Sequence, residues 1–163
     1  MASEAIRSAL ERFKLGKNGK ARPIAVSMAN YAASGGYWVA TPAQRIFAEP
    51  DTITGSIGIF AVFPSFERAL ADYGVTGDGV RTTPLSGQPD LVTGLTPEVS
   101  GMLQANIEAN YGRFLSLVGK SRGKAPAEID RIAQGRVWDG GTARQLGLVD
   151  EFGGLERALA WAA

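Results

Sequence analysis

Apolar positions along this chain follow two rhythms, one helical and one of short unbroken runs. In "SEAIRSALERF", Ile6, Leu10 and Phe13 fall at helical spacing; Ser3 reads as the N-cap, with Gly16 and Gly19 closing the helix. "PIAVSM", Pro23 to Met28, is the continuous apolar run of a buried parallel strand. "SGGYWVA" opens a helix that halts near Pro42. "RIFAE" predicts a second strand, "EPDTITGS" a turn, and "IGIFAVF" a third strand. "SFERALADYG" predicts a helix stopped by Gly74. The glycine- and proline-rich stretch from Val75 to Gly94 reads as a long loop with one strand inside it.

The longest helix follows, with Thr96 as cap and Pro97 at its first position. Val99, Leu103, Ile107, Phe114, Leu117 and Val118 form its apolar face, with Met102 and Tyr111 near the edge. "APAEIDRIAQG" is a further helix with Gly135 past its end. "RVWDGGTARQLGLVDEFGG" reads strand, helix, strand, and "LERALAWAA" a last helix. Strands alternating with helices predict an α/β fold with a mostly parallel sheet flanked by helices, in a single domain over residues 1–163.

Composition narrows the chemistry. The net charge of +1 supplies no field for nucleic acid or anionic lipid, and the basic "KLGKNGKAR" (Lys14 to Arg22) reads as a solvated, glycine-broken loop. The absence of cysteine removes disulfides and thiolate chemistry. The absence of histidine removes a Ser-His-Asp triad and the usual zinc sites. "GKS" at Gly119 to Ser121 is no phosphate-binding loop, because Phe114 stands where the upstream glycine belongs. Scattered turn aspartates (Asp51, Asp78, Asp90, Asp150) form no carboxylate pair, and Trp38, Trp138 and Trp161 do not cluster in sequence.

Ser34 stands apart. Within "AASGGYW" it follows a buried-type strand and opens a helix, so its hydroxyl is expected at the carboxyl edge of the sheet. Alternatively, the run is small because a helix packs tightly on the sheet there. The Gly35 N–H, beside the serine, is the natural first donor to an oxyanion. A second serine, Ser56, occupies another glycine-flanked turn, "TGSIG". A serine nucleophile needs a base, and without histidine the substitute is a lysine held neutral by burial or nearby positive charge. Lys14, Lys17, Lys20, Lys120 and Lys124 all lie in charged segments expected to be exposed, so none is expected to serve.

These motifs resemble the signal peptide peptidase A (protease IV) family of S49 serine peptidases. "MANYAASGGYW", "TITGSIG" and "GRVWDGGTARQLGLVD" carry the resemblance, which extends over nearly the whole chain. It implies a ClpP/crotonase-like fold and Ser-Lys proteolysis of signal peptides and other apolar peptides. It also implies homo-oligomers on the extracytoplasmic face of the bacterial cytoplasmic membrane, with no cofactor or metal. By the same resemblance, Ser34 is the nucleophile, Gly35 an oxyanion N–H donor, and Ser56 the serine that orients the base lysine.

Two departures follow. Where the short form of the family carries its lysine, this chain has Ser86. The "SPGG" turn that precedes the first helix in the family is not in this sequence. The chain therefore matches the carboxyl-terminal half of the long, duplicated form. It is expected to be an N-terminally truncated piece whose base lysine lies on the amino-terminal domain of the same protein, and to be soluble and inactive alone. A phage capsid-maturation protease, a crotonase-type acyl-CoA enzyme and a non-catalytic assembly module are the alternatives.

Overall fold

The computed structural model describes residues 2–16 and 20–163. Gly19 and Lys17 lie outside the described residues. The chain divides into two compact units: one holds the residues up to Gly58 together with Tyr111–Ala163, the other Ile59–Asn110.

The first unit begins with α1 (Ala2–Lys14). Ser3 lies inside the first turn instead of capping it, and its hydroxyl reaches toward Gly35. Gly16, with φ of 63°, ends the helix as expected. The apolar run at Pro23 gives β1 (Ala25–Met28), and the chain then forms a separate strand, β2 (Tyr31–Ala33). Next come α2 (Gly35–Ala40), β3 (Arg45–Ala48) and β4 (Ile53–Gly55). β4 occupies the segment expected to be a turn, because Thr52 and Thr54, both fully buried, tie it to its neighbour. The Thr52 hydroxyl donates to Ala29 O at 2.7 Å, and the Thr54 hydroxyl to Ala32 O at 2.8 Å.

Beyond Gly58 the chain enters the second unit. Its one complete helix is α3 (Glu67–Asp72), closed by Gly74 at φ 71° with the Val75 N–H returning to Leu70 O. The strand expected over residues 57–63 does not form. An apolar run becomes a strand only where a neighbour takes its backbone groups. Here Phe60 is 85% and Val62 77% exposed. The strand expected between Val75 and Gly94 is likewise replaced by turns and a single bridge between Asp90 and Gly94.

α4 (Pro97–Arg122) runs from the second unit into the first, capped by the Thr96 hydroxyl, which accepts from the Val99 N–H. Its apolar face buries Phe114 and Val118 as expected, and also Leu115. The first unit is completed by α5 (Pro126–Asp130), β5 (Val137–Asp139), α6 (Gly140–Gln145), β6 (Glu151–Phe152) and α7 (Leu155–Ala162).

Among the described residues, the strands form two three-stranded sheets, ordered β1-β3-β6 and β2-β4-β5. All pairs are parallel except β4 with β5. Tyr37, Trp38, Ile46, Phe47, Phe114, Val118 and Leu148 are almost fully buried in the core of the first unit, with Trp38 and Phe114 ring centroids 4.7 Å apart. Burying one such side chain contributes about 1.5–3 kcal/mol.

Two polar clusters fix the helices. The Glu4 carboxylate on α1 accepts from the Trp38 indole N–H at 2.9 Å and from Arg7, and pairs with Arg113 at 2.8 Å. Arg122 forms a two-armed ion pair with Asp150, whose carboxylate also accepts from the Ile46 N–H. The Tyr37 hydroxyl, inside the core, donates to Leu148 O at 2.7 Å. α2 is thus held at its start by α1 and on its buried face by the loop before β6.

Candidate active site

The second sheet builds the site. β2 and β4 run parallel with Ala33 paired to Gly55, so Ser34 and Ser56 are the next residues out at the carboxyl ends of adjacent strands. Neighbouring strands lie about 4.8 Å apart. The Ser34 N–H continues the ladder by donating to Gly55 O at 2.9 Å. Both serines are half-buried.

Both also adopt backbone angles that L-residues rarely visit: φ is 52° at Ser34 and 49° at Ser56. Only three non-glycine residues among those described have positive φ, and two of them are these serines. Strain of this kind costs about 1–3 kcal/mol per residue and persists only where the surroundings enforce it. At Ser34 the enforcement is a strand ending and a helix starting on one residue. Its N–H belongs to the sheet, and its C=O accepts the first helical bond, from the Trp38 N–H at 2.9 Å.

Ser34 occupies the N-cap position of α2, yet its hydroxyl makes no capping hydrogen bond. The contrast is Asp139 at the start of α6, whose carboxylate accepts from the Thr142 N–H and hydroxyl and is thereby held below the usual carboxylate range. The N–H groups of Gly35, Gly36 and Tyr37 precede the first helical bond and have no acceptor within the helix. The Gly35 N–H is the one adjacent to the serine.

The packing alternative for "AASGG" divides between its two glycines. A Cβ on Gly36 would meet only Ala32, at an ordinary 3.8 Å. A Cβ on Gly35 would lie 2.6 Å from the Ser3 hydroxyl. The tight contact is therefore made by α1, and sequence periodicity carries no signal for it.

Two described lysines are more enclosed than their segments suggest. Lys14 Nζ donates to Pro42 O at 3.0 Å, just past the far end of α2 from Ser34, and Lys124 Nζ donates to Leu146 O at 2.6 Å. Both are half-buried, while Lys20 and Lys120 are exposed. Ser86 belongs to the second unit, where its hydroxyl bonds with those of Thr82 and Thr83.

Sequence reading missed the third side of this sheet end. β5 runs antiparallel to β4, and the residues before it extend the pairing: the Ser56 N–H donates to Arg136 O at 2.7 Å, and the Gly135 N–H to Ile57 O at 3.0 Å. A Cβ on Gly58 would lie 2.8 Å from the Gly135 backbone, so glycine is required there. Gly135 reads from sequence as a helix stop, which conceals this pairing.

The fold is similar to that of a ClpP1 variant from Listeria monocytogenes: TM-score 0.50, 14% identity, covering 97% of this chain and 87% of that one. It is a mixed α/β fold in which the expected mostly parallel strands are divided between two three-stranded sheets accompanied by helices. A family model described as Peptidase family S49 matches residues 17–163, and the chain belongs to that family. It is 47% identical to Protease 4 of Salmonella typhi over 162 residues, which is 99% of this chain and 25% of the relative. It is 33% identical to the chloroplastic serine protease SPPA of Arabidopsis thaliana over 142 residues, 85% of this chain and 21% of the relative. The chain thus spans a quarter or less of the length of these curated relatives. Among the described residues, no helix is long and apolar enough to cross a membrane.

Proposed function

We propose that this chain carries the nucleophile of a serine endopeptidase of the Ser-Lys type. The observation that supports this most is Ser34 itself: strained, at the carboxyl end of a strand, with its hydroxyl making no capping hydrogen bond and the Gly35 N–H beside it. Ser34 Oγ attacks the peptide carbonyl carbon while a neutral lysine amine takes its proton. The Gly35 N–H donates to the oxyanion, and the Ser56 hydroxyl orients the lysine. The protonated amine then gives its proton to the departing peptide nitrogen as the C–N bond breaks. Water hydrolyses the resulting ester by the same base in reverse.

The base belongs to an amino-terminal, lysine-bearing domain of the same protein. The substrates are extended apolar peptides, cleaved signal peptides among them. The whole protein works as a homo-oligomer on the extracytoplasmic face of the bacterial cytoplasmic membrane. Membership of a peptidase family and a relative named as a serine protease support the serine-peptidase part of this reading.

The test is hydrolysis of a fluorogenic apolar peptide by this chain alone and by the gene product that carries it. The chain alone is expected to give no Ser34-dependent turnover, while the gene product turns over and loses activity on Ser34→Ala. Without the base, nothing takes the Ser34 proton as the hydroxyl attacks. Robust Ser34-dependent cleavage by the chain alone would place a base within it and overturn this assignment.

A further inference from the structure

The third strained residue joins the two serines at one end of one sheet. Gln134, with φ of 57°, begins the turn whose next two residues pair with the Ser56 segment. Three strands of the same sheet thus end or begin there: β2 with Ser34, β4 with Ser56, and β5 after Gln134, Gly135 and Arg136.

A tyrosine hydroxyl ties that turn to two helices. Tyr111 Oη accepts from the Gln134 N–H at 3.1 Å and donates to Asp130 Oδ1 at 2.6 Å. Tyr111 comes from α4 and Asp130 from the last position of α5, so two helices meet on the turn. Burial and the Asp130 carboxylate both raise the Tyr111 pKa, which keeps the hydroxyl protonated as a donor. The side chains add support: Arg136 donates to Gln134 Oε1 at 2.9 Å and to Arg131 O at 2.5 Å. The path is continuous: Asp130 to Tyr111, Tyr111 to the Gln134 N–H, then through Arg136 O to the Ser56 N–H.

We infer that Tyr111, with Asp130 behind it, is a positioning residue for Ser56, acting through the strained turn Gln134–Arg136. The inference rests on the proposed role of Ser56 in orienting the base. Only one hydrogen bond fixes the Ser56 N–H, and its acceptor sits in a turn whose left-handed residue is unfavourable for glutamine. Releasing the Gln134 N–H lets that residue relax, and the acceptor shifts with it.

The test uses the gene product that carries this chain, with two readouts. The first is amide hydrogen exchange over residues 55–58 and 133–137. Tyr111→Phe is expected to speed exchange at the Ser56 and Gly135 amides about 10-fold, the loss of one net hydrogen bond, and to leave the Ser34 amide unchanged. The second readout is peptide turnover. Tyr111→Phe is expected to lower kcat about 10-fold with KM unchanged, and to cost nothing further in the Ser56→Ala background. Asp130→Asn, whose amide oxygen still accepts from the Tyr111 hydroxyl, is expected to leave exchange and kcat close to the parent values, and Asp130→Ala to perturb the same residues less than Tyr111→Phe. Unchanged exchange at Ser56 overturns the inference, as does an equal kcat loss in both backgrounds. If Ser34→Ala leaves turnover intact, the peptidase reading falls instead, and the exchange experiment still decides whether Tyr111 controls Ser56.

Discussion

At the scale of single residues, Ser34 gives up stability to stand where it does. Glycine adopts a φ of 52° without penalty, whereas alanine suffers as serine does. Ser34→Gly is therefore expected to stabilise the fold by about 1 kcal/mol, a rise in Tm of about 2–4 °C. Ser34→Ala should leave Tm close to the parent value, and both remove the nucleophile. Thermal unfolding of the three proteins checks this; a fall in Tm with Ser34→Gly would mean that the backbone is not strained.

Gly35 gives a second prediction at this scale. Its position is helical, where alanine is intrinsically favoured, yet a Cβ would meet the Ser3 hydroxyl at 2.6 Å. Gly35→Ala alone is expected to destabilise by about 1 kcal/mol. Adding Ser3→Ala removes the clashing oxygen and should restore Tm. A double variant no more stable than Gly35→Ala would place the obstruction elsewhere.

At the scale of elements, the helices were readable because each carries its own signal. Thr96 and Pro97 open α4, Gly74 closes α3, and Phe114 and Val118 face the core at the expected spacing. Strands carry weaker signals, because their partners lie elsewhere in the chain. Ile53–Gly55 is a strand through buried threonine bonds to residues some twenty positions earlier, and threonine and glycine beside a proline read locally as a turn. The apolar residues 57–63 read as a strand, yet no ladder takes them. Ser34 was legible because a strand-to-helix turn concentrates small residues locally. The Gln134–Arg136 turn was not, since only its pairing to Ser56 reveals it.

The Arg122–Asp150 pair supplies a prediction for the elements it joins. Burial pushes the Asp150 carboxyl up, but hydrogen bonds from Arg122 and the Ile46 N–H outweigh it and hold the group below its ordinary value. A carboxylate lowered in the folded state stabilises the fold above its unfolded pKa, about 3.9, and that contribution is lost as pH falls through the folded value. Glu4 is lowered as well, chiefly by Arg7. Stability measured by denaturant titration should therefore decline below about pH 4, and less steeply in Asp150→Asn. Asp150→Ala leaves a largely buried guanidinium unpaired and is expected to cost about 3–5 kcal/mol at neutral pH.

At the scale of the whole molecule, the proposed account separates nucleophile from base. It places Ser34, Gly35 and Ser56 on this chain and the lysine on another part of a longer protein, consistent with a chain that spans 25% of its Protease 4 relative. The exposed Phe60, Val62 and Tyr73 of the second unit fit the proposed homo-oligomer, in which a second copy covers them. Light scattering on the gene product should report a defined multimer, and Phe60→Ser with Val62→Ser should lower its mass; an unchanged mass would remove these residues from the contact.

The most direct test is covalent labelling of the gene product by a serine-directed fluorophosphonate, read by peptide mass mapping. The account predicts one adduct, on Ser34, absent in Ser34→Ala and strongly slowed in Ser56→Ala. An adduct on another serine, or labelling that survives Ser34→Ala, would contradict it.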